Sequence, residues 1–141
     1  MILYLDTSAL VKLYFQEVSS EIVIELVKKS EIVATSRLAY VEAKAAFGRK
    51  RELGELSSED LEKLMFEFER DWPNYLLIEV SPEVVSLAGD LAVNHHLRAY
   101  DALHLSSGLW LKEKTGLGIS FLTFDRNQKM VAEKESLKIV G

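Results

Sequence analysis

The run Ile2-Leu3-Tyr4-Leu5-Asp6-Thr7-Ser8 decides how the rest of the chain is read. Four consecutive apolar residues with no polar alternation predict a short strand buried on both faces, the environment of a parallel sheet covered by helices. The acid and two hydroxyl residues that follow are of the types that cap a helix, so a helix is expected over about 8–15. A doubly buried strand passing straight into a helix opens an α/β fold.

The same grammar repeats outward from that segment. Ile32-Val33-Ala34, residues 75–80, residues 119–124 and residues 137–140 are further short apolar runs and read as strands. Helices are expected between them. One starts at Ser19 or Ser20, with Ile22, Val23, Leu26 and Val27 on one face and Lys28-Lys29 in its last turn. Another covers about 36–53, with Leu38, Val41, Ala45 and Ala46 as its apolar face and Gly54 as a C-cap. Ser57-Ser58-Glu59-Asp60 resembles a capping box and starts a helix to about 71, with Pro73 beyond it. Ser81-Pro82-Glu83 opens a helix over 82–95, Tyr100 starts one to about 114 with Gly116 and Gly118 after it, and a short helix fills 126–134. The expected fold is a three-layer α/β/α sandwich with a mostly parallel, about five-stranded sheet and right-handed crossovers, in a single domain spanning 1–141.

Composition narrows the chemistry. The 141 residues carry 17 Lys and Arg against 22 Asp and Glu, a net charge of −5, which argues against broad attraction to nucleic acid and leaves room for a local basic patch. With no cysteine, disulfides, thiolate zinc sites and cysteine nucleophiles are excluded, and any metal must bind oxygen or imidazole. No apolar run approaches the roughly 18 residues of a membrane span, and the N-terminus has no basic region before its apolar run, so a cytoplasmic protein is expected.

Most acids fall where a helix meets solvent, as in Glu59-Asp60-Glu62. Asp6, Glu42, Asp101 and Asp125 instead lie beside or inside apolar or small-residue runs, where an unpaired carboxylate is costly to desolvate. Asp6 and Asp125 each follow a predicted strand, Asp101 falls in a first helical turn, and ligands of such sheets bind at the carboxyl ends of the strands. Glu42 reaches the same edge if its helix leans over it. Each acid also has an ordinary explanation: Asp6 as a helix cap, Asp101 as a dipole partner, Asp125 as a turn residue. Glu42 has the weakest, because Lys44 does not face it and Arg49 is two turns away. Convergent carboxylates repel one another unless a cation intervenes, and Mg²⁺ or Mn²⁺ on oxygen ligands is the usual equipment of phosphodiester hydrolysis.

Leu5-Asp6-Thr7-Ser8-Ala9-Leu10, Ser36 followed by Glu42, Tyr100-Asp101-Ala102-Leu103-His104-Leu105 and Leu122-Thr123-Phe124-Asp125 together resemble the PIN-domain nucleases, and most of all the single-domain VapC-type toxins of prokaryotic toxin–antitoxin pairs. The resemblance covers essentially the whole chain. It implies that Asp6, Glu42, Asp101 and Asp125 surround one or two Mg²⁺ or Mn²⁺ ions, with Thr7, Ser8 and Thr123 as polar supports. It further implies endoribonuclease activity on RNA, a homodimer and a small antitoxin partner.

Lys12, Arg37, Lys44, Arg98 and Arg126 lie near the acids in sequence and are candidate contacts to RNA phosphate. Arg49-Lys50-Arg51 reads as a solvated helix end, His95-His96 as a helix terminus, and His104 as a packed helix histidine, with a supporting role beside the acids as its alternative. Two other functions are compatible with a small α/β fold. A receiver-like phosphoacceptor domain expects adjacent acids after the first strand and a phosphoacceptor after the third, where this chain has Glu79-Val80-Ser81. A catalytically silent binding module on the PIN fold would have no need of four intact acids.

Overall fold

The computed structural model describes all 141 residues. Its five strands are β1 (Ile2–Leu5), β2 (Ile32–Ser36), β3 (Leu76–Ile78), β4 (Ile119–Leu122) and β5 (Lys138–Ile139). They form one sheet in the order β3-β2-β1-β4-β5, and every pairing is parallel. The chain builds outward from β1 on one side through β2 and β3, then crosses to the other side through β4 and β5. The switch point of the fold therefore lies between β1 and β4.

The four residues of β1 are all buried, and their side chains alternate between two cores as the pleat requires. Ile2 and Tyr4 enter one core with Ala34, Ile78, Ile119 and Phe121. Leu3 and Leu5 enter the other with Leu10, Val23, Phe47, Phe68 and Trp72. Helices α5 (Pro82–His95), α6 (Ala99–Thr115) and α7 (Arg126–Lys134) supply the first core, while α1 (Thr7–Leu10), α2 (Ser20–Lys29), α3 (Ala39–Glu52) and α4 (Ser58–Asp71) supply the second. Gly108 of α6 lets that helix close on the sheet, since a Cβ there would stand 3.1 Å from the Phe121 ring. Phe121 in turn stacks on Tyr4, with centroids 5.2 Å apart.

The caps read from the sequence are in place. Ser57 and Ser81 accept hydrogen bonds from the backbone N–H of Asp60 and Val84, and Gly116 ends α6 with φ +67°.

Three expectations change. The helix expected over 8–15 is one turn of α-helix and a 3₁₀ turn over 11–13, and the loop that follows is tied back to it by the Lys12 Nζ, which donates to the Val18 carbonyl. Helix α3 starts at Ala39 rather than 36, since Ser36 ends β2 and its hydroxyl accepts from the Leu38 N–H. Its core face is Ala39, Ala43 and Phe47; Val41 is 67% exposed and Ala45 is exposed as well. Phe47 fixes this phase, because it packs edge-on against Phe68 and Tyr14.

Candidate active site

The carboxyl ends of the strands open into a cleft of about 500 Å³ lined by Asp6, Thr7, Ser8, Glu42, Asp101, His104 and Asp125, with Ala45, Ala46, Arg49, Arg98, Tyr100 and Phe124 completing its walls. The four acids singled out in the sequence share this one cleft.

Asp6 follows β1 directly and caps α1. Its Oδ1 accepts from the Ala9 N–H at 3.0 Å and the Ser8 hydroxyl at 2.7 Å, and its Oδ2 accepts from the Thr123 hydroxyl at 2.5 Å. The Ser8 and Thr123 hydroxyl oxygens accept in turn from the N–H groups of Phe124 and Asp125, so the ends of β1 and β4 are tied around this carboxylate. Burial pushes the Asp6 carboxyl above the usual carboxylate range, against the opposing pull of His104 and these donors. Asp125 caps α7, its Oδ1 accepting from the Gln128 N–H at 2.8 Å, which leaves Oδ2 toward the cleft. For both residues the capping role and the place in the cleft coexist on one side chain.

Glu42 projects from α3 in line with Ala45, Ala46 and Arg49, the i, i+3, i+4, i+7 stripe that faces the cleft. Its Oε1 meets the Thr7 hydroxyl at 2.7 Å and His104 Nε2 at 2.8 Å, while His104 Nδ1 lies 2.8 Å from the Tyr4 hydroxyl. Thr7 has one hydroxyl hydrogen and gives it to Glu42; its 3.0 Å contact with His104 Nε2 therefore requires a hydrogen on that nitrogen. Burial, aided by the charges of Asp6 and Glu42, raises the Tyr4 phenol well above its ordinary value, so Tyr4 keeps its proton. His104, 2% exposed and read from sequence as a packed helix residue, is both packed and bonded to a cleft acid. Only its position three residues after Asp101 signalled this, since Glu42 lies 62 residues away.

Asp101 in the first turn of α6 is buried, and Gln128 Nε2 donates to its main-chain carbonyl. Burial raises its carboxyl pKa and the charges of Asp125 and Asp6 raise it further, while Arg98 opposes them. The Arg98 guanidinium contacts Oδ2 of Asp101 and Oδ2 of Asp125, each at 3.0 Å. As the side chains stand, no three Asp, Glu or His residues are grouped closely enough to hold one metal ion, and Arg98 bridges Asp101 and Asp125.

Of the basic residues expected near RNA, only Arg98 lines the cleft. Lys12 is paired with Glu17, Arg37 with Glu79 and Lys44 with Glu69, each outside it, and Arg126 borders a shallow neighbouring depression at the start of α7. Each of these three pairs is with an acid that is not in the cleft lining, while Lys12 also lies 4.7 Å from the ring of Phe124 at the cleft wall. Arg49, read as a solvated helix end, lines the cleft and joins none of the ion pairs. The Arg37–Glu79 pair also occupies the end of β3, where a receiver domain would carry its phosphoacceptor.

A five-stranded parallel sheet between helical layers, with carboxylates gathered at its switch point, defines the class, and the sequence comparison agrees: residues 3–134 match the PIN domain, and the chain belongs to that family. Within it the chain is 35% identical over 112 residues to Ribonuclease VapC45 and to Ribonuclease VapC49, both of Mycobacterium tuberculosis, an alignment covering 77% of this chain and 75% of each of those. The fold is shared with VapBC2 from Rickettsia felis, solved bound to a DNA fragment from their promoter, at a TM-score of 0.68 and 16% identity, over 99% of this chain and 98% of that one. No helix is long and apolar enough to cross a membrane.

Proposed function

We propose that the protein is an endoribonuclease that hydrolyses RNA phosphodiester bonds with Mg²⁺ or Mn²⁺, as the toxin of a toxin–antitoxin pair. The observation that carries this reading is the meeting of Asp6, Glu42, Asp101 and Asp125 in one cleft at the switch point of a PIN-family chain. The donor set fits a hard divalent cation. It is all oxygen, its one imidazole is engaged by Tyr4 and Glu42, and burial raises the carboxyls of Asp6 and Asp101, with the charges of Asp125 and Asp6 adding to the rise at Asp101. These four acids would hold one or two ions, which when bound supply a water of lowered pKa and neutralise charge on the phosphate.

The remaining work belongs to the chain's own groups. Ser8 and Thr123 hold the Asp6 oxygens, Thr7 and His104 orient Glu42, and Arg49 at the cleft wall is placed to meet a phosphate. The reading takes residues 1–141 as one nuclease domain in the cytoplasm, working as a homodimer and restrained by an antitoxin. The ribonuclease names of the relatives support the activity, and VapBC2 with its promoter DNA supports a partnered protein.

The test is incubation of purified protein with a structured RNA in Mg²⁺, in Mn²⁺ and in EDTA. Cleavage with either metal and none in EDTA is expected. Inactivity in all three, or cleavage that survives EDTA, overturns the reading.

A further inference from the structure

One side of the cleft is bridged by a cation of the chain itself. Arg98 precedes α6, and its side chain makes no hydrogen bond to the helix end. Its Nε donates to Asp101 and a terminal nitrogen to Asp125, linking acids carried by two different elements. The guanidinium also lies 4.9 Å from the centroid of the Tyr100 ring, a second surface on which it can rest. The Arg98 side chain is 61% exposed, whereas that of Asp101 is 10% exposed. An ion pair open to water on its cationic side is weak and screened, so it breaks readily when a stronger cation arrives. Nothing else holds the guanidinium in place.

We infer that Arg98 is an exchangeable counter-ion, competing with the divalent cation for Asp101 and Asp125 and, once displaced, presenting its guanidinium to RNA phosphate at the mouth of the cleft. The inference rests on the nuclease reading above. A guanidinium matches carboxylate and phosphate oxygens equally well, so one side chain serves the acids before the ion is bound and the substrate afterwards. Its backbone, anchored three residues before Asp101, keeps the freed group within reach of the same cleft. Arg49 provides the comparison, since it lines the cleft without touching Asp101 or Asp125.

The experiment measures Mn²⁺ dissociation constants on RNA-free protein by the electron paramagnetic resonance of free Mn²⁺, then KM for RNA at saturating Mn²⁺, for wild type, Arg98→Met and Arg49→Met. Arg98→Met should bind Mn²⁺ roughly three- to tenfold more tightly, the range expected on releasing two exposed ion pairs. The same variant should show a KM for RNA raised about tenfold, the opposite sign, because a charge-assisted phosphate contact is gone. Arg49→Met should leave Mn²⁺ affinity within about twofold, since a screened charge that pairs with neither acid acts weakly. Unchanged or weaker Mn²⁺ binding by Arg98→Met, or equal tightening by Arg49→Met, overturns the competition. Tighter Mn²⁺ binding with an unchanged KM overturns the phosphate role. A wild type that binds no Mn²⁺ overturns the nuclease reading and this inference with it, so the two failures are distinguishable.

Discussion

Beside the amino ends of β2 and β3, the Tyr14 hydroxyl donates to Asp71 at 3.0 Å and meets the hydroxyl of Tyr75, while Arg70 Nε reaches the other Asp71 oxygen at 3.0 Å. At the carboxyl ends, Thr7, Ser8 and Thr123 serve Asp6 and Glu42 in the same manner, hydroxyl to carboxylate. The chemistry of the two clusters is alike and the grouping of their carboxylates is not. The first network closes on the single carboxylate of Asp71, with Glu31 and Glu67 on the walls beside it but in none of its hydrogen bonds, whereas in the second four carboxylates share one cleft and the charges of Asp125 and Asp6 act on Asp101. Hydroxyl donors are enough to bury a single carboxylate, but they do nothing against repulsion among several. Mutual repulsion among carboxylates, rather than the presence of acids, separates the cleft from a structural network.

The comparison breaks most visibly in catalysis. Asp6→Asn and Asp101→Asn should each lower metal-dependent RNA cleavage by about a thousandfold, the scale of losing one pre-organised electrostatic group, while Tyr75→Phe in the other cluster stays within about twofold of wild type. Activity of either Asn variant within about tenfold of wild type would remove these acids from the site. Glu42→Gln should follow Asp6→Asn. Asp125→Asn should cost less, since its side chain, 28% exposed, is more open than those of Glu42 and Asp101 at 21% and 10%.

Next in size comes the support beneath Glu42. His104→Phe should weaken Mn²⁺ binding by about 10- to 100-fold, as loss of a ligand's orienting partner does, and His104→Gln, whose amide can still donate to Glu42, should recover part of it. Titration calorimetry with Mn²⁺ reads both. Equal affinities for wild type and His104→Phe would reduce the histidine to packing.

The repulsion among the carboxylates is also a stability statement. Mn²⁺ at about 100 times its dissociation constant should stabilise the fold by roughly 2.7 kcal/mol by mass action, seen as a rise of several degrees in Tm. Without metal, Asp101→Asn should melt at or above the wild type and gain much less from Mn²⁺. Because the folded carboxyls of Asp6 and Asp101 lie above their unfolded values, the folded state holds protons that the unfolded chain has lost. Metal-free stability should therefore be fullest below the usual carboxylate range and fall as pH rises through the folded values, with a shallower fall in Asp101→Asn. A clearly less stable variant, or one with the full Mn²⁺ gain, makes Asp101 a helix-start residue.

The smallest effect belongs to the other cluster. Burial pushes the Tyr75 phenol up to about 12, so the folded protein keeps a proton that the unfolded chain loses near its ordinary value of 10.0. The contribution is whole below pH 10 and disappears toward pH 12. Thermal melts across that window should show Tyr75→Phe losing less stability than wild type; identical slopes would deny the linkage.

How far the sequence could be read depended on how local the evidence was. The buried run 2–5 and the Ser57, Ser81 and Gly116 signals act within a few residues, and each is found where it was expected. The phase of α3 was not legible, because Val41, Ala43, Ala45 and Ala46 are nearly equivalent in apolar character, and the choice is made by Phe47 against Phe68 and Tyr14. The loop after Leu13 is tied back by one lysine reaching one carbonyl, a contact that no local pattern announces. Among the acids, position after a strand was readable, while the cations that meet them were not. Arg98 and Lys12 look alike in sequence, and only the fold sends one to Asp101 and the other to Glu17.

The hydrogen bond from Thr123 to Asp6 spans 117 residues, nearly the whole chain. β1 sits in the middle of the sheet and lacks its β4 neighbour until residues 119–122 have been made. Asp101, Asp125 and Thr123 likewise arrive late, and a contact of such long sequence separation forms only after everything between has been ordered. A nascent chain therefore carries Asp6 and Glu42 without a cleft around them until residues 119–125 have followed. The cleft assembles as a unit when β4 slots in beside β1, not piece by piece along the chain.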